Sequence, residues 1–170
     1  RGGNMSTSTA LEILKSALLL ELRGKSFYEK AADSAKDQAV KDFFVQLAED
    51  EISHVQILSE QYKSYKKDGA FVEMDRTASN ESVASAVLTG TLKQRIAGAG
   101  FESAAISAAM GMEERAVKLY SQRAETATDP QEKALYKWLA EWETQHLEFL
   151  AAIDREVTEA LWNDNSFWPF

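Results

Sequence analysis

The chain of 170 residues contains no cysteine. That excludes disulfides, thiolate zinc sites, iron–sulfur clusters and a cysteine-bound mononuclear iron. It also fits a reducing compartment, and the expected location is cytoplasmic. Long apolar runs are missing too. Ala17-Leu18-Leu19-Leu20 is typical of the longest, far below the roughly 20 residues of a membrane-spanning helix. No charged-then-apolar leader opens the sequence, so nothing points to secretion. Basic residues are in deficit, 19 Lys and Arg against 27 Asp and Glu, for a formal charge of −8 and a pI near 4.9. This balance argues against a nucleic-acid partner. Plain solubility accounts for an acidic surface of this kind. Arg1-Gly2-Gly3-Asn4 ahead of Met5 reads as a remnant foreign to the fold. Residues 5–170 are then one domain, long enough to bury a real core.

Histidine is nearly absent as well. The two present, His54 and His146, both lie in Glu-x-x-His, with Glu51 and Glu143. Residues three apart on a helix share a face. Each motif therefore aims one carboxylate and one imidazole into the same space, a pair suited to iron, manganese or zinc. A shift of 92 residues carries Glu51 onto Glu143 and His54 onto His146. The same shift carries Glu21 onto Glu113, Tyr28 onto Tyr120, Arg23 onto Arg115 and Asp37 onto Asp129. No gap is needed across residues 11–60, so the chain reads as a duplicated two-helix unit with near-equivalent halves.

Periodicity predicts helix pairs over 8–64 and 101–160. The first helix, 8–34, carries Leu11, Leu14, Leu18, Glu21, Lys25, Tyr28 and Ala32 on one seam. An unpaired carboxylate on such a seam is costly. A salt bridge from Glu21 to Lys25 is the local alternative to a site, but the second copy has Val117 at the matching position. Asp37 is the expected N-cap of a second helix to about Ser64, with Val40, Phe44, Leu47, Glu51, His54 and Leu58 on its seam. Glu49 and Asp50 fall off that seam and are expected to face solvent. Gly69 is the expected stop. Residues 65–100 read as a long crossover, with a short helix at Ser82–Leu92. A connection this long joins helices running the same way.

The third helix, 101–127, has Ile106, Met110, Glu113, Val117, Tyr120 and Ala124 on its seam. This register turns Glu113 inward rather than Glu114 and leaves Arg23 and Arg115 outside. Met110 and Met112 read as packing. The fourth helix, 130–160, opens with Asp129 as N-cap, Pro130 in the first position and Glu132 three after the cap. Its seam is Tyr136, Leu139, Glu143, His146 and Leu150. The aromatic tail Trp162–Phe170 is expected to pack on its own bundle, with a second subunit as the alternative. The fold expected is all-α, a four-helix bundle with a long crossover between helices two and three.

One glutamate on each of two helices, plus Glu-x-x-His on each of the others, resembles the ligand set of the ferritin-like di-iron carboxylate proteins. Glutamate, seven residues to tyrosine and about thirty more to Glu-x-x-His resembles the rubrerythrin branch, over Leu11–Leu150. The resemblance implies two iron ions, with manganese or zinc accepted by the same groups. It makes Glu21 and Glu113 terminal carboxylates, Glu51 and Glu143 bridges, and His54 and His146 one ligand each. Tyr28 and Tyr120 would hold the carboxylates. Full-length rubrerythrins end in a cysteine-bound rubredoxin domain, and this chain has no cysteine for one. They also carry a further carboxylate one turn after the third-helix ligand, where this chain has Ala116. The ligand set is thus two Glu-Glu-His halves, as in bacterioferritin.

Charge balance favours two ions over one. Four carboxylates converging at low dielectric repel, and two divalent cations neutralise them with both imidazoles neutral. The implied function is an oxidoreductase of oxidative stress, reducing peroxide or oxygen with electrons from a separate donor protein, as a homodimer or larger homo-oligomer. The alternatives are a ferroxidase and iron-storage shell of bacterioferritin type, or a metal-stabilised protein without turnover.

Overall fold

The computed structural model describes residues 3–75, 88–99 and 103–163. Among them are five helices and no strand: α1 (Gly3–Ser34), α2 (Gln38–Asp68), α3 (Gly90–Gly98), α4 (Ser103–Thr126) and α5 (Pro130–Asn163). No helix among the described residues is long and apolar enough to cross a membrane. The all-α expectation holds. The helix α1 begins at Gly3, so residues 3–4 continue the helix expected to open near residue 8.

Local chemistry sets the breaks. The Asp37 carboxylate accepts from the backbone N–H groups of Ala39 and Val40 at 2.9 and 3.2 Å, capping α2 as expected. Gly69 ends α2 in the left-handed conformation, φ 67°, where a side chain would be strained. Asp129 accepts from the Gln131 N–H at 2.8 Å and opens α5. Glu132 does not complete a capping box. It is buried and accepts from the Arg123 guanidinium at 2.5 Å, because a carboxylate turned inward there needs a cation and α4 supplies one.

Three-residue turns, 35–37 and 127–129, join α1 to α2 and α4 to α5, so each pair packs as an antiparallel hairpin. The helices α2 and α4 are not close-packed neighbours. Between them the chain leaves α2 and tucks Phe71 against Tyr65, with ring centroids 4.8 Å apart. The Gln61 amide then clamps the backbone of Val72 at both its N–H and its carbonyl. The short helix of the crossover is α3, capped by Thr89 and packed on α5 through Leu92 and Ile96. It lies later than the expected Ser82–Leu92, since the Thr89 hydroxyl caps Leu92 N–H and sets the start. Residues 82–87 of that expectation lie outside the described residues. So does most of the tail, 164–170, although Trp162 at the end of α5 is exposed.

Two apolar layers fill the bundle. One holds Tyr28, Phe43, Phe44, Leu47, Ile106, Phe149 and Ile153. The other holds Leu14, Ala17, Leu58, Tyr120, Leu135, Tyr136 and Leu139. Along every long helix the polar site residues fall between them. In α2, Leu47 belongs to the first layer and Leu58 to the second, with Glu51 and His54 in between.

Candidate metal centre

The side chains of Glu21, Glu51, His54, Glu113, Glu143 and His146 are all buried, each 3% exposed or less. Lys25, the alternative partner of Glu21, pairs instead with Glu29 at 3.3 Å on the outside of α1. Glu49, Glu114, Arg23 and Arg115 are exposed, as their registers require. Met110 packs against the first layer.

The six groups form two overlapping clusters. Glu21, Glu51, His54 and Glu143 make one; Glu51, Glu113, Glu143 and His146 make the other. In each cluster the ligand-type atoms lie within 4.8 Å of one another. Glu51 and Glu143 belong to both clusters, Glu21 and Glu113 to one each. The His54 Nδ1 lies 2.7 Å from Glu143, 3.1 Å from Glu21 and 3.9 Å from Glu51. The His146 Nδ1 lies 2.8 Å from Glu51, 3.0 Å from Glu143 and 3.6 Å from Glu113. The two rings stack 6.1 Å apart.

His54 Nδ1 shares a hydrogen bond with Glu21 Oε2, but several of the converging atoms have no such partner. Glu51 Oε1, both Glu143 oxygens and His146 Nδ1 are buried without a hydrogen-bond partner. Buried polar atoms left without partners are costly in a protein interior, and a cation bound among them would satisfy them together. The donor set, four carboxylate groups and two imidazole nitrogens, suits divalent metals of intermediate softness.

Around this shell the tyrosines act crosswise. Tyr28 donates its hydroxyl to Glu113, and Tyr120 donates to Glu21. Burial first, and then the neighbouring carboxylates, push both phenols well above their ordinary range, so both remain donors.

Protonation in the absence of metal follows from the same crowding. Burial, then the charges of Glu143 and Glu21, hold Glu51 well above the usual carboxylate range. Burial, then Glu143, push Glu113 up to about 8, against the opposing pull of His146. Burial also pushes Glu143 up, but the His54 and His146 imidazoles on either side outweigh it and hold its carboxyl well below the usual range. Burial lowers His54, yet Glu143 and Glu21 overcome it and raise the ring to about 10. His146 likewise stands well above its ordinary value, against burial, through Glu143, Asp50 and Glu113. Without metal, the crowded pocket thus draws protons.

Two residues of the site escape sequence reasoning. Asp50, expected in solvent, is 5% exposed, and its Oδ2 lies 3.1 Å from His146 Nε2. From beside the seam of α2 its carboxylate reaches His146 on α5. Gly24 is the other. A Cβ there would stand 3.1 Å from both the Cδ and an oxygen of Glu51. Any side chain there would press on the Glu51 carboxyl, which would have to give way by a few tenths of an ångström. The signal available was that Glu21, Gly24 and Tyr28 share one face.

A helical bundle with a buried, two-cluster carboxylate–histidine pocket is the architecture of the ferritin-like dinuclear metal proteins. A family model described as Rubrerythrin matches residues 12–154, and the chain belongs to the rubrerythrin family. No curated protein and no solved structure matches it.

Proposed function

We propose that the chain is a di-iron oxidoreductase that reduces peroxide or oxygen with electrons from a separate donor protein. The observation that supports this reading most is the sharing of Glu51 and Glu143 between two ligand clusters sealed between apolar layers. Glu21, Glu51, His54 and Glu143 would hold one ion, and Glu51, Glu113, Glu143 and His146 the other. A pair of reduced ions held so supplies electrons and open coordination positions for oxygen or peroxide. The protein's own part is positional. Tyr28 and Tyr120 keep their protons and fix the orientation of Glu113 and Glu21. The apolar layers keep water from the pocket. Exposed Leu19 and Leu22 on α1 support self-association into a homodimer or larger assembly.

The test is to load the metal-free protein anaerobically with ferrous iron and follow its oxidation by peroxide and by oxygen. Two irons per chain and faster oxidation by peroxide or oxygen than free ferrous iron shows are expected. Two bound ions that neither oxidant consumes would mark a metal-stabilised protein without turnover.

Ala116 favours a second reading, a ferroxidase of an iron-storage shell. It is buried one turn after Glu113, where a further carboxylate would stand in rubrerythrins, and leaves the symmetric ligand set of bacterioferritin. Mass in solution separates the two readings. A hollow shell of some two dozen subunits would replace the enzyme reading with storage.

A further inference from the structure

The 92-residue repeat predicts equal halves, but the residues behind the two imidazoles differ. Behind His146 stands Asp50, with Oδ2 3.1 Å from the Nε2 that faces away from the pocket. Gln46 steadies that carboxylate, its Nε2 lying 3.4 Å from Asp50 Oδ1. The repeat carries Asp50 onto Trp142. Behind His54 stand that indole and Trp138, with centroids 5.0 and 5.8 Å from the imidazole and both rings nearly perpendicular to it. His54 Nε2 is buried without a hydrogen-bond partner, as are the Nε1 atoms of both tryptophans.

A metal-binding imidazole is oriented by what its other nitrogen donates to. A carboxylate there fixes the tautomer and the ring, and losing such a partner commonly costs 10- to 100-fold in metal affinity. Asp50 gives that support to His146, leaving Nδ1 bare toward Glu51 and Glu143. At its other nitrogen His54 has no such carboxylate, only the two indole rings packed against the imidazole.

We propose that the two metal positions are inequivalent: Asp50 makes the His146 position the tight one, and Trp142 leaves the His54 position the exchangeable one. The inference rests on the dinuclear site of the preceding reading. Asp50 is a positioning residue, acting on the metal through His146.

Single-histidine variants isolate the halves and remove any coupling between two ions. Metal-free His54→Ala protein keeps the His146 half, and His146→Ala keeps the His54 half. Each is titrated with cobalt(II) alone, read by calorimetry and by the visible absorption of the bound ion. The His54→Ala protein is expected to bind one ion roughly 10 to 100 times more tightly than the His146→Ala protein. Asp50→Ala added to the first should erase most of that advantage. Asp50→Asn, which keeps the shape and an acceptor but loses the charge, should erase part of it. Neither change should alter cobalt binding by the His146→Ala protein. Circular dichroism verifies that each variant is helical. Equal affinities in the two single-histidine proteins, or an Asp50 effect of the same size on both, would overturn the inference while leaving the dinuclear site intact. Failure of wild-type protein to bind any cobalt would remove the site itself and the inference with it.

Discussion

Tyr28 on α1 donates its hydroxyl to Glu113 on α4, and Tyr120, 92 positions later, makes the corresponding bond to Glu21. The two hairpins are thus cross-linked at the centre of the bundle by equivalent contacts that each half supplies to the other. Tyr28→Phe and Tyr120→Phe should each free one carboxylate to rotate. A hydrogen bond to a charged group contributes about 1.5–3 kcal/mol. Each substitution should therefore weaken metal binding by roughly tenfold or more. Cobalt(II) titration of the two variants measures this; unchanged affinity in both would mean that the phenols are only packing.

Gly24→Ala should separate fold stability from metal binding. Alanine in a helix interior is favoured over glycine by about 1 kcal/mol. The metal-free variant should then melt at or slightly above the wild-type temperature. The added methyl would press on Glu51, a member of both clusters, so both ions should bind less well. Melting with and without metal, together with metal content after dialysis, checks the pair of effects. A variant that retains two ions at wild-type affinity would show that Glu51 yields without cost.

The metal-free protein should lose stability as pH rises from about 5 to 9. Glu113 is raised from its ordinary 4.5 to about 8 and His54 from 6.5 to about 10. In both, the folded state binds protons that the unfolded state has released. That contribution is complete below the unfolded value and disappears as pH climbs through the folded one. Glu143 acts oppositely: its depressed value adds stability that is lost only in strong acid. With metal bound the decline should vanish, and a hundredfold excess over the dissociation constant should add about 2.7 kcal/mol for one site. For a domain of this size that is roughly 5–10 °C in melting temperature. Thermal melts of chelator-treated and metal-loaded protein across this range are the measurement. A metal-free melting point indifferent to pH would contradict a shared buried pocket.

Metal loading should expel protons. Near pH 7 the raised values place protons on Glu113 and His54 in the metal-free protein, and Glu51 and His146 are shifted in the same direction. Ligation requires all four groups bare. Filling both positions should therefore release about two or more protons per chain, read as the dependence of calorimetric heat on buffer ionisation. Release near zero would mean that the pocket is already deprotonated and waiting.

Glu49→Ala and Glu114→Ala are the controls. Both side chains are exposed on the same helices as the ligands. Surface substitutions of this kind change stability by about 0.5 kcal/mol or less, and metal content should stay at two per chain. Loss of metal in either would mean that the helical register of the site is wrong.

The sequence by itself determined the helices and the six convergent groups. Seam periodicity put Glu21, Glu51, His54, Glu113, Glu143 and His146 where apolar residues belong, and charge on an apolar seam has few explanations. Capping chemistry at Asp37, Gly69 and Asp129 placed the breaks, because a cap is a contact between residues only a few positions apart. Contacts between helices were decided only by the tertiary structure. Asp50 sits beside the seam of α2, and nothing local reveals that α5 brings His146 against it. Gly24 looks like an ordinary helix glycine until α2 lays Glu51 across it. Glu132 looks like a cap until Arg123 arrives from α4. Even the 92-residue register misleads at this level. A repeat records matching positions within each hairpin, whereas the surroundings of each imidazole come from residues of the facing hairpin and from the indoles beside it. There the two copies have diverged, to Asp50 in one and Trp142 in the other.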